Sequence, residues 1–355
     1  MKKQLLTGAF VLASFFAAQA QVVSYDFNDY TIGNIGTNLT GEEVGQGDWL
    51  TFGSNGDPVT SNITNANFQV IEGNGGKVLQ LTGPDGASGG AFMFQDPQAT
   101  LDAWAERTEG NDIYQVEYLY YTGTPGDSKN GMGLTVFANS QTSIILCGAI
   151  VDTSTNEFYG RAYVNNAGTN GNFLITFGAQ GETLVLPDNT WVKIGTSFNK
   201  VTGEVIFKVA TVAGEILLDN SATPLAGAAA GNDPVEVDVN ALNVSAGNTV
   251  AAVGLFDNIK VSMVAEDSLL GTKDVSFEQA NLSVYPNPAS DVVNVSVDAL
   301  VSNVAIVDLN GRTVKSVKFD GVSTASVNVS DLASGIYMMT VSSDKGTTTK
   351  KIVKN

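Results

Sequence analysis

The sequence predicts an all-β protein made of two unequal units, a large β-sandwich followed by a small Ig-like one. Three observations carry that prediction. Apolar runs through residues 21–265 are short, hold no helical period and stop at Gly, Asn or Asp, as strands of a sandwich do. The chain has 38 glycines against 9 prolines and is 43% hydrophobic, an ordinary globular composition tilted toward turns. Acidity changes along the chain: residues 21–265 carry 26 acids and 8 bases, residues 266–355 carry 10 and 8. Charge alone therefore marks a boundary near residue 265.

The first twenty residues read as an address. Lys2 and Lys3 precede a mostly apolar run over residues 5–18, and Ala18-Gln19-Ala20 is a small-x-small cleavage site, the three zones of a secretory signal. An N-terminal anchor helix is the rival reading, but the run is short and interrupted by Thr7, Gly8 and Ser14. No cysteine follows it for lipid attachment. The mature chain is expected to start at Gln21, outside the cytoplasm, with no later transmembrane segment.

Strand candidates follow at residues 114–121 (YQVEYLYY), 133–137, 143–151, 158–164 and 173–177. The clearest hairpin runs over residues 191–198, turns through 199–203 and returns over 204–212. In it Val192, Ile194 and Phe198 share one face and Lys193, Gly195 and Ser197 the other. Trp191 opens this alternation and is expected in the core. Only residues 101–106 (LDAWAE) suggest a helical turn, and the Ala/Gly stretch 222–231 reads as an exposed loop. A length near 245 residues suits one large sandwich domain. Residues 266–281 lack sustained alternation and are expected to be a linker. Within them Asp267-Ser268-Leu269 fits an Asp-Ser/Thr-aliphatic O-glycosylation pattern, for which a chance tripeptide is the simpler reading.

Composition excludes several chemistries. With no histidine there is no Ser-His-Asp or Cys-His machinery and no His-ligated metal. The single cysteine, Cys147, forbids an intramolecular disulfide or a Cys-rich metal site, and its apolar surroundings make it a buried small hydrophobe. A net charge of −18 repels phosphate backbones, so nucleic acid is not an expected partner.

The tail carries an ordered motif set: Tyr285-Pro286-Asn287-Pro288, the strand over 293–297, Asp308-Leu309-Asn310-Gly311-Arg312 with its Asn-Gly turn signal, Leu332 with Gly335-Ile336-Tyr337, and the terminal Lys350-Lys351-Ile352-Val353-Lys354. On these elements residues 282–355 resemble the type A C-terminal sorting domain of the type IX secretion system. About seven short strands are expected, with Ile306, Leu309, Ile336, Tyr337 and Met339 in the core. Pro286 and Pro288 keep the entry segment out of a ladder. The resemblance implies recognition by an outer-membrane translocon, removal of the tail during passage, and a product that reaches the cell surface or medium by way of the periplasm.

Residues 21–265 resemble, more weakly, the concanavalin A-like (laminin G-like) jelly-roll family. The resemblance lies in Tyr25-Asp26-Phe27-Asn28, in the Trp191–Ile194 strand leading through Thr202-Gly203 to Glu204-Val205-Ile206, and in Phe256-Asp257-Asn258-Ile259-Lys260-Val261. A galactose-binding-like jelly roll would share the first and last of these. Either resemblance implies that Asp26 and Asp257 hold a structural calcium; the alternative is that both acids cap strand ends.

Two functional readings remain open. Glycan binding needs aromatic platforms beside hydrogen-bonding groups, for which the candidates are Trp49 beside Asp48, Trp104, Tyr120 with Tyr121, and Tyr159, Arg161 and Tyr163 near Asn165 and Asn166. A jelly-roll glycosidase would need paired carboxylates. Glu236-Val237-Asp238-Val239-Asn240 is similar to the Glu-x-Asp-x-(x)-Glu strand of such enzymes, and alternate positions share one strand face. Here an amide stands where the proton donor should be, so the segment reads as a coincidence of an acidic strand. A glycan-binding or adhesive surface protein is therefore expected, with a carboxylate-dependent glycosidase or a ligand-free structural protein as rivals.

Overall fold

The computed structural model describes residues 21–139, 144–178, 183–270, 283–307, 313–343 and 346–355. The expected export signal (1–20), residues 271–281 of the expected linker, Leu282 and Leu309 lie outside the described residues.

The large unit is an antiparallel jelly-roll sandwich. Its front sheet runs, edge to edge, Thr169–Ile175, Phe158–Asn166, Ile144–Asp152, Asn130–Asn139, Glu236–Asn243, Gly90–Phe94 and Leu50–Ser54. Its back sheet centres on Ile113–Tyr121 and Val253–Val264. Trp191–Asn199, Glu204–Thr211 and Ile216–Asp219 extend it on one side, and Gly76–Thr82, Phe68–Gly73 and Gly33–Asn34 on the other. The first strand, Gln21–Tyr25, lies along Val253–Val264 with Tyr25 opposite Ile259. The first and last strands of the large unit thus meet in the back sheet.

Alternation decides what each strand buries. In Asn130–Asn139 the core takes Met132, Leu134, Val136 and Ala138; in Glu236–Asn243 it takes Val237, Val239 and Ala241. The expected hairpin is present, with Val192, Ile194 and Phe198 fully buried and Gly203 at φ 79° in its turn. Trp191 is a correction: it lies on the opposite face from Val192, half-buried, its ring 5.4 Å from that of Tyr121. The helical turn extends to Pro97–Ala105, capped by Asp96, whose side chain accepts from the N–H of Gln98. The Ala/Gly stretch is more than a loop, since Leu225–Ala226 pairs with Glu204–Thr211 and Ala229 is buried.

The first residues of the expected linker are docked on the outer face of the back sheet. Asp267 accepts from Lys208 Nζ at 2.7 Å and from Gln115 Nε2 at 3.0 Å, and Ser268 Oγ donates to Gln115 Oε1 at 2.8 Å. Leu269 is buried over Gly195, where an added Cβ would meet it at 3.0 Å, and the N–H of Leu270 donates to Glu117 at 2.7 Å. The tripeptide flagged for glycosylation is thus an anchoring strap.

The small unit has its own apolar cluster, built from Val293, Val304, Ile306, Val327, Met339 and Ile352 among others. Five described strands form this Ig-like sandwich, not the expected seven, because the hairpin arms Val292–Val307 and Thr313–Asn328 are long and broken by register shifts instead of turns. Tyr337 is buried and donates from its hydroxyl to the carbonyl of Ala333. Ile336 is 43% exposed, which corrects its place in the expected core: it alternates with Tyr337 and faces away. The proline segment is tied to the final strand, for Asn287 Oδ1 accepts from the N–H of Val353 at 2.8 Å.

Candidate functional site

The outer face of the front sheet holds a polar cluster that no core packing requires. Where Val237, Val239 and Ala241 point inward, Glu236, Asp238 and Asn240 point outward. The same alternation in Phe158–Asn166 sends Phe158, Ala162 and Val164 to the core and Tyr159, Arg161 and Tyr163 outward. The register then aligns these residues. Asp238 pairs with Thr135, Thr135 with Gly148 and Gly148 with Arg161, one lateral row across four strands. A second row runs Asn240, Gly133, Ile150, Tyr159.

Thr135 joins the two rows. Its hydroxyl oxygen accepts from Arg161 Nη1 at 2.6 Å and from Asn240 Nδ2 at 3.0 Å. Arg161 reaches it across Gly148, which has no side chain in the way. Burial pushes the guanidinium pKa down to about 10, and the neighbouring Asp238 acts in the opposite direction. Asp238 is held well above the usual carboxylate range, first by burial and then by the charge of Glu236, to which its carboxyl is hydrogen-bonded. Burial raises the Glu236 carboxyl too, against the lowering effect of its bond to Asp238, so the pair holds a proton more tightly than a free carboxylate. Two acceptors in this cluster, Asp238 Oδ1 and Asn240 Oδ1, are buried without a hydrogen-bond partner, although their residues are only 5% and 1% exposed. Both oxygens are closed off from solvent, so they lie beneath this face and not on it.

An aromatic floor adjoins the polar rows. Asn240 pairs with Phe92, and Phe92 with Phe52. The Phe92 ring lies against Gly90, where an added Cβ would meet it at 2.7 Å, and its centroid is 6.1 Å from that of Phe52. Phe52 is 42% exposed. At the other end Tyr159 donates to Glu157 Oε2 at 2.7 Å; its phenol pKa is raised to about 12, mainly by burial and then by Glu157.

Of the aromatic residues expected to contact sugar, three do not reach this surface. Trp49, Trp104 and Tyr120 are at most 2% exposed and belong to the sandwich core. Trp49 Nε1 donates to Tyr30 Oη, Trp104 Nε1 donates to Asp233 beneath the Arg107 guanidinium, and Tyr120 packs on Phe256. Tyr159, Arg161 and Tyr163 do share the outer face. Phe52 and Phe92 are the residues sequence reasoning missed; for Phe92 the signal was the alternation Gly90-Ala91-Phe92-Met93-Phe94, which puts Phe92 and Phe94 on the face opposite Ala91 and Met93. Cys147 is fully buried and its thiol is pushed up to about 12 by burial, the reverse of a nucleophile.

Asp26 and Asp257 do come together, since Tyr25 pairs with Ile259, but their surroundings do not fit calcium. The two oxygens of Asp257 accept from Asn74 Nδ2 and from the N–H of Asn258, each at 2.8 Å, and Asp26 accepts from the N–H of Asn28. The nearby carbonyls of Asn28 and Tyr30 accept from Lys77 Nζ at 2.9 and 2.6 Å. Calcium needs six to eight oxygen donors, and here N–H groups and an ammonium hold the oxygens. Among the described residues no group of three or more acidic or thiol ligands is suited to a metal.

Residues 283–355 match the family of secretion system C-terminal sorting domains. The protein is accordingly exported to the cell surface or secreted through that system. Among the described residues no helix is long and apolar enough to cross a membrane. No curated protein matches the chain. Three solved structures illustrate the similarities found. The binding domain of botulinum neurotoxin serotype C1 shares 8% identity over 89% of this chain and 73% of its own, at a TM-score of 0.40. The catalytic domain of a glycoside hydrolase family 131 protein from Coprinopsis cinerea shares 10% over 71% and 97%, at 0.43. The alginate lyase vAL-1 from Chlorella virus shares 12% over 61% and 93%, at 0.37.

Proposed function

We propose that the exported sandwich is a carbohydrate-binding surface protein whose binding site is the outer face of the front sheet. The observation that carries this reading is the exposed Phe52, its ring 6.1 Å from that of Phe92, on the same sheet face as the outward Tyr159, Arg161 and Tyr163. Sugar rings present apolar faces that settle on aromatic side chains and hydroxyls that hydrogen-bond with polar side chains beside them. Arg161 supplies donors on that face.

Hydrolysis is less well supported by the same geometry. A retaining glycosidase sets its carboxyl groups about 5–5.5 Å apart and an inverting one wider still. Glu236 and Asp238 are in hydrogen-bond contact, so they behave as one proton-sharing unit and leave no room for a glycosidic bond between them. The next outward position is Asn240, which cannot donate a proton to a leaving group. Affinity electrophoresis of the purified chain through polysaccharide gels tests the reading. Retardation by at least one polymer, weakened about tenfold by Phe92→Ala or Arg161→Met in variants of native fold, is the expected result. Retardation that neither substitution changes would place any sugar site elsewhere.

A further inference from the structure

We infer that the ligand of this face is an acidic polysaccharide, and that an oxyanion on its sugars, a carboxylate or a sulfate ester, docks on the Arg161 guanidinium. This inference rests on the glycan-binding reading above and narrows it to a ligand class.

Arg161 is a cation left without a counter-ion. Residues 21–265 hold 26 acids and 8 bases, so carboxylates are there in excess for every base. Arg107, Lys193, Lys200, Lys208 and Lys260 each pair with one. Lys77 and Lys129 donate to backbone carbonyls instead. Arg161 has neither kind of partner. Among the described residues its one hydrogen bond runs from Nη1 to the hydroxyl of Thr135. Its other N–H groups are unpartnered and, unlike Arg107 Nε, are not sealed from solvent.

The surroundings suit an incoming anion. A partly desolvated charge costs free energy until an opposite charge reaches it, and the planar guanidinium fork matches an oxyanion with two parallel donors. The acids of this face are turned elsewhere: Asp238, in the same row, is hydrogen-bonded to Glu236, and Glu157 accepts from Tyr159 and Thr155. Both flanks are open. Gly148 on one side carries no side chain, and Leu174, opposite Arg161 in the edge strand, is 48% exposed. Along its own strand Arg161 lies between the outward Tyr159 and Tyr163, so a sugar whose oxyanion meets the guanidinium has an aromatic ring on either hand. The chain's charge of −18 repels a polyanion at a distance. The pairing is therefore local, and it is read best where distant charge is screened, at about 0.15 M salt with a Debye length of about 8 Å.

The test measures binding of the full chain to matched polymers at that salt. Polygalacturonate is set against its methyl ester, a sulfated galactan against its desulfated form, and a β-glucan serves as neutral reference. The expected result is that at least one acidic polymer binds about tenfold more tightly than its neutralised form, the scale of one charge-assisted pair. Which of the two responds tells carboxylate from sulfate. Arg161→Met of native fold is expected to bring the two forms within about threefold of each other. Arg161→Lys keeps the charge but loses the fork, and is expected to show an intermediate preference; where Arg161→Met does not fold, an undiminished preference in Arg161→Lys counts against the inference. Equal binding of charged and neutralised forms, binding of the β-glucan alone, or a preference that survives Arg161→Met overturns the inference while leaving glycan binding intact. Silence across every polymer overturns the glycan reading and this inference with it.

Discussion

Arg161 and Asp238 stand in one lateral row of the front sheet with two strands between them, and Thr135 and Gly148 fill the intervening positions. The glycine is the condition for the arrangement. A Cβ at residue 148 would lie 2.7 Å from the carbonyl oxygen of Leu134 and 2.8 Å from Thr135 Cα, both backbone atoms that cannot move aside. It would also stand beneath the path of the Arg161 side chain. Gly148→Ala is therefore expected to lower stability by roughly 1–3 kcal/mol, the usual penalty for overpacking. Chemical denaturation measures it, and an unchanged midpoint would mean that the strands separate more easily here than their pairing indicates.

The Asp257 corner supplies a test of metal dependence and of pH together. Burial, followed by the nearby charge of Asp26, raises the Asp257 carboxyl to about 6, against the lowering effect of its Asn74 and Asn258 hydrogen bonds. The folded state thus holds a proton that the unfolded chain releases near pH 4. Stability from this group is present below about pH 4 and is lost as pH rises toward 6. Asp257→Asn is expected to raise the melting temperature at pH 7.5 and to change it little at pH 4, because Asn74 can turn its amide to accept from the new side chain. Chelation is expected to leave the wild-type melting temperature unchanged at either pH. A calcium-bound corner would reverse both results.

The strap over the back sheet makes a truncation pair informative. Leu269 is 2% exposed, and Glu117 beneath the strap takes the Leu270 N–H together with the ammonium groups of Lys193 and Lys260 at 3.3 and 3.7 Å. Ending the chain at residue 270 is expected to preserve the stability of the large unit, whereas ending it at 264 uncovers Gly195 and Glu117. Leu269→Ala in the full chain is expected to cost roughly 2–3 kcal/mol, the lower part of the range for a buried leucine. Neither truncated chain, lacking residues 283–355, is expected outside the cell; fractionation of cells and medium checks this directly.

Most of the architecture was legible because strand alternation is a local signal. The 191–211 hairpin, the shared face of Tyr159, Arg161 and Tyr163, and the tail motifs could all be read from neighbouring residues. The juxtaposition of Arg161 with Asp238 could not, for it depends on the pairing order of four strands whose paired residues in this row lie up to 103 positions apart in sequence. Tyr120 was misjudged for a different reason. Its own strand alternates Tyr114, Val116, Tyr118, Tyr120 on one face, and all four are buried, so the period-two rule, applied through to the strand's end, would have put it in the core. Trp49 and Trp104 sit beside a loop and in a helix, where no such rule operates.

The proton shared by Glu236 and Asp238 separates a binding surface from a catalytic one. Because burial and the charge of Glu236 raise the Asp238 carboxyl well above the usual carboxylate range, the folded state retains a proton to higher pH than the unfolded chain, which gives it up near pH 4. Its contribution to stability is complete below that pH and declines as pH rises toward the elevated folded value. An asparagine at 238 imitates the protonated acid, its amide donating to Glu236. Asp238→Asn is thus expected to raise the melting temperature at pH 8, to leave it nearly unchanged at pH 4, and to hold polysaccharide affinity within about threefold. Were Asp238 instead ionised and stabilised by Arg161, the same substitution would remove a favourable charge pair and lower the melting temperature at pH 8. Were the pair catalytic, wild-type protein would release reducing ends from the polymer it retains and Asp238→Asn would abolish the release; none is expected from either protein.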